Sequence, residues 1–550
     1  MFILPIQNFS TYNNGYKIHN KNTFRTNLRQ SIDTITFSGK ISPKTNIFDK
    51  YKPTIKHFDG YKLPIHNTEI AKRLQSAYTS TNFKKLFNYA NKKGAFDLNI
   101  NPETHFIKTS LINAKENPLM SKLVWVTDSC RYMPILKDKY PNAAVPLMEN
   151  ISNFYKKQEK NINKIINNPL EYELNHDGVN TAKKGIGHVF NPKNYTTHKW
   201  FPKTRLESPG LYLQTMSDLI FDGLNGAKYG YKKAKDILQN SIDSITNITA
   251  YLKSIIYPYA KSTGAWEEKT FTMTPSSDVA IINEGFRKII NLMYSPTQNP
   301  EILKVRQRFL NSKNGKVFKD EHSLRELLSW GEYRIKQDSI KEVPVNNERI
   351  LDGALSFIPQ TEKYSDNIIS DVQEIFKRLE LLEKGTPETS ALVRDNGTLR
   401  YSGDRYLNMT AGHKINNSNK LPEKTEAQWF MTSDISKCYG IAAKKLLDKI
   451  DAQKTVDPQT IELLNKAIKK ETEYINRGYA RITGKNTYKA NEKECPPFQI
   501  PEAYQAVTNS KGEIVFVPGT HTPLGWAQAS LYDASKLYLE NLERLEQIKL

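Results

Sequence analysis

The sequence predicts an all-helical fold, and three observations lead to that prediction. Apolar residues recur at steps of three and four through most of the 550-residue chain, as they do on the buried face of a helix. Segments with the alternation of a half-buried strand are few. No apolar stretch approaches the roughly 18 residues that a membrane-spanning helix needs. We therefore expect helices that pack on one another around a core.

Two stretches show the helical pattern most clearly. The first runs from Ile237 to Ile256, carries one apolar stripe, and is closed by Pro258. The second follows Ser276 and Ser277, whose hydroxyl groups can cap its first turn. Further helices are predicted at about 65–93, 142–167, 208–222, 321–338, 365–384, 424–449, 457–475 and 524–547.

The remaining segments are predicted to be loops, one small hairpin and an N-terminal arm. The best strand signal lies between Gly512 and Val517 and suggests a β-hairpin excursion. Residues 1–60 are rich in Asn, Lys, Thr and Tyr without sustained periodicity, which is typical of a poorly ordered or surface-wrapping arm. Residues 61–550 are expected to form one helical domain.

The net charge is +21, from 79 basic and 58 acidic residues. A charge of that size is typical of proteins that bind nucleic acid or acidic surfaces. Here the lysines are scattered through every segment, and Asn, Ile and Tyr are also plentiful, as codon bias in an AT-rich genome would give. Because no nucleic-acid-binding motif accompanies the charge, we expect a diffuse positive potential and no nucleic-acid partner.

Cysteine usage and the chain start bear on compartment and cofactors. Cys130, Cys438 and Cys495 are widely spaced, which argues against a disulfide framework and against a zinc site. The apolar start from Met1 to Ile6 is too short for a signal peptide. We expect a cytoplasmic protein with no membrane partner, metal or other cofactor. The oligomeric state cannot be inferred from the sequence.

Five of the six tryptophans stand beside charged residues, mostly at predicted helix–loop junctions. They are Trp125, Trp200, Trp266, Trp429 and Trp526. Flat aromatic faces beside carboxylates suit a sugar, which has an apolar ring face and a rim of hydroxyl groups. For any single one, an ordinary interface tryptophan near surface charge is the alternative. The sixth, Trp330, lies within a predicted helix, and we expect it in the core.

Six short segments occur in an order that resembles the glucoamylase family, glycoside hydrolase family 15, which includes the related barrel of the phosphorylase kinase α and β subunits. Each motif alone is weak, whereas six in order over about 120–530 are fairly specific. The matching segments are Leu123–Ser129, Gly264–Glu268, Leu399–Tyr406, Glu426–Trp429, Ile500–Tyr504 and Thr522–Ala527.

The resemblance implies a six-fold α/α barrel of the six-hairpin glycosidase type, with the active site among loops at one end. It also implies inverting, exo-acting hydrolysis of α-glucosidic bonds at the non-reducing end of an α-glucan or a small α-glucoside. In that mechanism one carboxylic acid protonates the leaving oxygen and a second carboxylate activates water. Glu267 matches the family's acid and Glu502 matches its base.

The same resemblance assigns substrate-binding residues. Asp128, Arg400 and Asp404 would bind hydroxyl groups of the terminal glucose, and Glu268 would bind the next sugar. The pocket would be lined by Trp125, Trp200, Trp266 and Trp429.

Two physical requirements accompany the catalytic pair. The carboxyl groups of Glu267 and Glu502 should stand roughly 6.5–9.5 Å apart, which leaves room for water. The pKa of Glu267 should be raised so that it holds a proton near neutral pH, and apolar cover from Trp266 with the like charge of Glu268 acts in that direction.

The chain departs from the family pattern in places that leave alternatives open. Thr127 stands where the family has an arginine, and Arg131, one helical turn later, is a candidate to compensate. The segments Leu399–Tyr406 and Glu426–Trp429 lean toward the phosphorylase kinase branch. A non-catalytic glucan-binding or regulatory barrel is therefore the alternative function, although both carboxyl residues are retained.

Overall fold

A computed structural model describes most of the chain beyond residue 45. The described residues are 46–110, 122–169, 185–198, 201, 203–224, 231–267, 270–337, 341–345, 348–361, 367–404, 406, 425–452 and 457–548. Most of the predicted arm, together with Trp200 and Glu268, lies outside them. Residues 46–60 belong to the compact body that extends to the C-terminus, and within them the side chain of Phe48 packs on Val507 and Val517.

The prediction of an all-helical fold is confirmed, because helices dominate the described residues. In chain order they are α1 (Thr68–Ala71), α2 (Ser80–Lys92), α3 (Val126–Arg131), α4 (Met133–Lys139), α5 (Pro141–Lys157), α6 (Glu159–Asn167), α7 (Glu207–Leu224), α8 (Tyr231–Ser254), α9 (Ser276–Tyr294), α10 (Pro300–Leu310), α11 (Glu321–Gln337), α12 (Ile368–Lys384), α13 (Thr432–Ala452), α14 (Pro458–Ala480) and α15 (Gly525–Gln547). No helix of the described residues is both long enough and apolar enough to cross a membrane.

The strands are short and antiparallel. They are β1 (Thr54–Phe58), β2 (Tyr61–Ile65), β3 (Val124–Trp125), β4 (Val189–Phe190), β5 (Val393–Arg394), β6 (Gly397–Thr398), β7 (Gln428–Trp429), β8 (Thr487–Tyr488), β9 (Glu494–Cys495), β10 (Ala503–Thr508) and β11 (Ile514–Pro518). The predicted hairpin is β10–β11, and it forms the edge of a five-stranded sheet with the order β11-β10-β7-β6-β5. The other three sheets have two strands each.

Close helix packing sets the frame of the molecule. Helix α7 is buried along almost its whole length and lies against α9. A side chain at Gly285 would meet the carbonyl oxygen of Gly210 at 2.8 Å, and one at Gly210 would meet the backbone of Ile282 at 3.0 Å. Glycine at 210 and 285 therefore allows the two backbones to approach, and larger residues would push the helices apart.

Two local predictions are wrong. Trp330 is 42% exposed on the outer face of α11, because the helix buries the stripe that carries Leu324, Leu327 and Leu328 instead. Ser276 and Ser277 do not cap α9 with their hydroxyl groups. They donate to the segment at Lys341 and Glu342, and so bind a neighbouring loop to the helix start.

A buried arginine, Arg481 at the end of α14, fastens the five-stranded sheet. Its guanidinium donates to four backbone carbonyls, those of Asn396, Gln428, Pro501 and Glu502. These carbonyls belong to the β5–β6 turn, to β7 and to the segment that leads into β10. Although burial lowers the pKa of Arg481 to about 10, the group remains a cation at neutral pH.

We expect Arg481→Leu to lower the free energy of unfolding by about 3 kcal/mol or more, because it leaves several buried carbonyls without a donor. The matched control is Arg477→Leu, one turn earlier on α14, whose main partner is the ion-paired Glu473. The side chains of that pair are 12% and 15% exposed, and Arg477 donates to one backbone carbonyl, that of Arg394, instead of four, so we expect a loss of about 1.5 kcal/mol, well below that of Arg481→Leu. Urea unfolding of the two variants measures the difference, and equal losses would contradict the role assigned to Arg481.

Candidate active site

Asp128 and His188 flank a two-stranded arm, because β3 leads into α3, which carries Asp128, and His188 directly precedes β4. Strand β3 pairs with β4, with Trp125 opposite Val189, and the amide of Val126 donates to the carbonyl of His188 at 3.0 Å. Asp128 lies in the first turn of α3, where the partial positive charge of a helix N-terminus attracts an acidic side chain. Its side chain is buried, with the residue 6% exposed.

Arg205 is a buried cation between two carboxylates. Its Nε and Nη2 atoms donate to Oε2 of Glu207 at 3.2 and 2.9 Å, and its Nη1 donates to Oε1 of Glu267. Glu207 is the first residue of α7, and its Oε1 also accepts from Arg131 at 3.2 Å. Burial works against the charge of Arg205, but the two carboxylates outweigh it and raise its pKa above the usual value.

Glu267 lies in the loop between α8 and α9. Its φ angle is +59°, a left-handed conformation that costs a residue other than glycine about 1–3 kcal/mol and that occurs most often at functional sites. A hydrogen bond of 3.2 Å from the amide of Thr263 to the carbonyl of Thr204 ties this loop to the start of α7. His188 Nε2 lies 2.7 Å from Glu267 Oε1, and the Glu267 side chain is 16% exposed.

Glu502 immediately precedes β10 and is held by a second histidine. His521 Nδ1 lies 2.6 Å from Glu502 Oε2, and the Glu502 amide donates to the carbonyl of His521 at 3.0 Å. The next residue, Ala503, pairs with Trp429 of β7. Each of the two candidate catalytic carboxylates therefore has a histidine partner.

An aromatic cluster surrounds Arg400. The guanidinium lies 4.5 Å from the ring centre of Trp429, 4.9 Å from that of Tyr406 and 5.6 Å from that of Trp266. Asp404 accepts two hydrogen bonds from Arg400, both at 2.7 Å, in a buried pair rather than a surface ion pair. Tyr406 is stacked on Trp429 and is 48% exposed, so the cluster reaches the surface.

Trp266 links the aromatic cluster to the acid loop. Its indole Nε1 donates to Oδ1 of Asp352 at 2.8 Å, and Asp352 is bridged to Tyr401, the residue after Arg400. Because Trp266 directly precedes Glu267, this hydrogen bond fixes the aromatic cluster beside the candidate acid.

The charges of Glu267 and Glu502 both act on Asp128. Burial raises the pKa of Asp128 to about 7, Arg205 opposes that rise, and the negative charges of Glu267 and Glu502 add to it. Three of the predicted site residues are thus close enough to repel one another. The Asp128 carboxyl receives no hydrogen bond from the described residues, so its oxygen atoms remain available to a ligand.

The expected rise in the pKa of Glu267 is wrong. Burial alone would raise it, but the charges and hydrogen bonds of His188 and Arg205 outweigh burial and lower the pKa to about 2. The expected rise rests on the chain neighbours Trp266 and Glu268. His188 and Arg205, which lower the pKa, lie far away in the chain. In the ligand-free protein Glu267 is therefore a carboxylate.

The other predicted residues have defined positions. Trp125 is buried against Phe201, with ring centres 5.4 Å apart. Thr127 is buried and shares a 2.7 Å hydrogen bond with Ser208. Arg131 is paired with Glu207 and stacks over Phe357, whereas the guanidinium that contacts Glu267 is that of Arg205.

Sequence reasoning missed several residues of the site. Arg205 and Glu207 are not among the predicted site residues, although an arginine and a glutamate just before an apolar helix are a local signal for an ion pair. His188 and His521 carry no comparable local signal. All three cysteines are buried and unpaired, and no group of three or more His, Cys, Asp or Glu side chains within the described residues could hold a metal ion.

The chain is similar in fold to solved glycosidase structures. A glucoamylase from Saccharomycopsis fibuligera aligns with a TM-score of 0.51 and 13% identity over 85% of this chain and 99% of that chain. A wild-type glycosidase aligns with a TM-score of 0.46 and 11% identity over 86% of this chain and 98% of that chain. A beta-1,2-glucanase from Parabacteroides distasonis aligns with a TM-score of 0.33 and 11% identity over 86% of this chain and 60% of that chain.

No family model and no curated protein match the chain. The likeness to the glucoamylase confirms the predicted fold class, an α/α barrel with small β-hairpin excursions, and at 13% identity it shows the fold alone.

The pair of His521 and Glu502 should make stability depend on pH. Burial lowers the pKa of His521, but the charge and hydrogen bond of Glu502 outweigh it, so the folded-state pKa is raised above 6.5. A raised folded-state pKa stabilises the fold fully below the unfolded pKa, and that contribution is lost as pH rises through the folded pKa. We expect His521→Gln to lose more stability, relative to wild type, at about pH 6 than at about pH 9.

Urea unfolding at the two pH values checks this expectation. His57→Gln is the matched control, because the His57 side chain is exposed on β1 and should change stability little at either pH. A His521→Gln deficit that is constant with pH, or that grows toward alkaline pH, would contradict the assigned ion pair.

Proposed function

We propose that this protein is an inverting, exo-acting glycoside hydrolase that cleaves α-glucosidic bonds at the non-reducing end of an α-glucan or a small α-glucoside. Membership of the glucoamylase family is part of the proposal. Its support is the order of the six motifs, the barrel fold, and the geometry around Asp128.

The observation that carries the proposal is the convergence of carboxyl groups from distant parts of the chain. Glu267 and Glu502 both raise the pKa of Asp128 through their charge, although 235 positions of sequence numbering separate 267 from 502. Each of the two is partly open, with side chains 16% and 17% exposed. Buried like charges destabilise a fold, so their retention in one place favours a functional reason.

In the proposed reaction Glu267 protonates the leaving glycosidic oxygen and Glu502 removes a proton from the attacking water. His521 orients the Glu502 carboxyl group through the 2.6 Å contact between Nδ1 and Oε2, and Glu502 in turn raises the pKa of His521. A separation of roughly 6.5–9.5 Å between the two carboxyl groups stays a prediction.

The remaining groups supply sugar binding. The face of Trp266 and the exposed ring of Tyr406 offer apolar surface to a pyranose ring. The Asp128 carboxyl, which has no hydrogen-bond partner within the described part of the chain, suits the hydroxyl groups of a chain end, and the buried Arg400–Asp404 pair supports the neighbouring wall. Trp125 and Trp429 support these walls from behind, since both are buried. Trp200 and Glu268 keep their sequence-based assignments as part of the proposal.

One observation favours a second candidate, a glucan-binding or regulatory barrel without catalysis. Glu267 is ion-paired with Arg205 and His188, and its pKa is lowered to about 2. A carboxylate in that state has no proton to donate near neutral pH. A binding barrel would keep the pocket and the aromatic cluster and would have no use for that proton.

Glu267→Gln separates the two candidates. The amide keeps the shape and the hydrogen-bonding capacity of the side chain but cannot donate an acid proton, so we expect glucose release from maltooligosaccharides to fall by about 10²–10⁴-fold. Binding should survive, because Asp128 and Trp266 are unchanged. Anomer-resolved NMR of the product measures both rate and stereochemistry, and inversion is the expected outcome.

Glu502→Gln is the companion variant, in which the base rather than the acid is lost. If the protein is a binding barrel, the wild type should not turn over any α-linked glucoside. Trp266→Ala or Asp128→Ala should then reduce glucan binding, whereas Glu267→Gln should leave it unchanged. Wild-type rates in Glu267→Gln would remove Glu267 from the reaction.

A further inference from the structure

Resting on the proposed function, we propose that His188 holds the proton that Glu267 delivers to the leaving-group oxygen. His188 does not touch substrate in this scheme, since its side chain is 1% exposed behind Glu267. It acts through Glu267 and is therefore a positioning residue for the acid.

The contact between the two side chains is direct. His188 Nε2 lies 2.7 Å from Glu267 Oε1, which is hydrogen-bonding distance for a shared proton. The backbone of His188 is fixed by the amide of Val126, and its ring lies edge-on to Phe201 at 6.4 Å. The other oxygen of Glu267, Oε2, is bonded to none of the described residues and is the atom left to face a substrate.

The charged groups around Glu267 indicate that the proton for the leaving group is shared between His188 and Glu267. Arg205 also contacts Glu267, but it is matched by Glu207 and keeps its own proton at any pH of interest. Asp128 faces the site from α3 and Glu502 from the start of β10, and neither has a hydrogen bond to Glu267 within the described residues. His188 is thus the side chain in contact with Glu267 whose ring nitrogens can both donate and accept a proton.

The proton is conserved through the proposed step. In the proposed resting state the shared proton lies on His188 Nε2 and Glu267 is a carboxylate. A substrate that excludes water from the pair favours the neutral form of both groups. The Nε2–H bond breaks and an O–H bond forms on Glu267. The carboxyl group turns about its terminal torsion, which is soft for glutamate, and the O–H proton passes to the glycosidic oxygen as its bond to carbon breaks. A proton from solvent recharges the pair after the products leave.

The test compares two substrates that differ in their need for an acid. Maltose needs protonation of its leaving group, whereas the fluoride of α-glucosyl fluoride departs with little help. We expect His188→Gln, which retains a hydrogen-bond donor but stores no proton, to lose about 10²–10⁴-fold on maltose and only a few-fold on the fluoride. Glu267→Gln should show the same pattern, and Glu502→Gln should lose activity on both substrates.

The pH profile gives a second readout. The alkaline limb of kcat/KM on maltose reports loss of the acid's proton, so it should move to lower pH in His188→Gln. His198→Gln is the matched control, since His198 packs on the same Phe201 ring at 5.6 Å. Nitrogen NMR of histidine-labelled protein should show an imidazolium at 188 in the ligand-free wild type and a neutral ring in Glu267→Gln.

Each other outcome decides against the proposal. Equal losses on both substrates in His188→Gln would indicate a merely structural role, and an unchanged rate would exclude any role. Asp128→Asn could instead lose activity on maltose and keep it on the fluoride, while His188→Gln does not show that difference. That result would assign the proton to Asp128 instead of His188. If the wild type cleaves neither substrate, the proposed hydrolase function itself is overturned. If the wild type cleaves both and His188→Gln has the same rates, only the assignment to His188 is overturned.

Discussion

The guanidinium of Arg205 is buried between Glu207 and Glu267, and the position of the candidate acid depends on that contact. A buried cation is stable only when it is paired and hydrogen-bonded, and removal of either carboxylate would leave charge uncompensated in a dry interior. Glu207 begins α7, and α7 is pressed against α9 at the close contact of Gly210 and Gly285. Helix packing thereby fixes the position of Glu207 and of its partner Arg205, and Arg205 in turn contacts the side chain of Glu267.

The same arginine accounts for the departure at position 127. The family pattern places a guanidinium beside the aspartate that corresponds to Asp128, whereas Thr127 here is buried against Ser208. Arg205 acts on Asp128 in its place, since its charge lowers the pKa of Asp128. The guanidinium near Asp128 comes from the segment before α7, and it is bound to the carboxylates of Glu207 and Glu267. In the proposed function, recognition of a terminal sugar would depend more on Asp128 itself, whose carboxyl has no hydrogen-bond partner among the described residues.

Much of the fold could be predicted from the sequence, because helical periodicity records which face of each segment is buried. The boundaries of α7, α11, α12 and α15 agree closely with their predicted ranges. Trp330 shows the limit of that reasoning, since an apolar residue beside a buried stripe can still face outward. The direction in which the pKa of Glu267 shifts could not be predicted either. It depends on His188 and Arg205, which are 79 and 62 positions away in the chain and become neighbours only through tertiary packing.

A site that uses one carboxyl group as an acid and another as a base must keep the first protonated and the second ionised, although the two lie close together. Burial alone cannot achieve this, because it raises the pKa of every carboxyl alike, as the value of about 7 at Asp128 shows. Distinct partners can separate the two. Glu502 contacts His521 and raises the pKa of that histidine. His188 contacts Glu267 at 2.7 Å, and in the proposed scheme it holds the proton of the acid. In the proposed reaction the two histidines therefore differ in use although they form similar contacts, because there Glu267 gives up a proton and Glu502 accepts one.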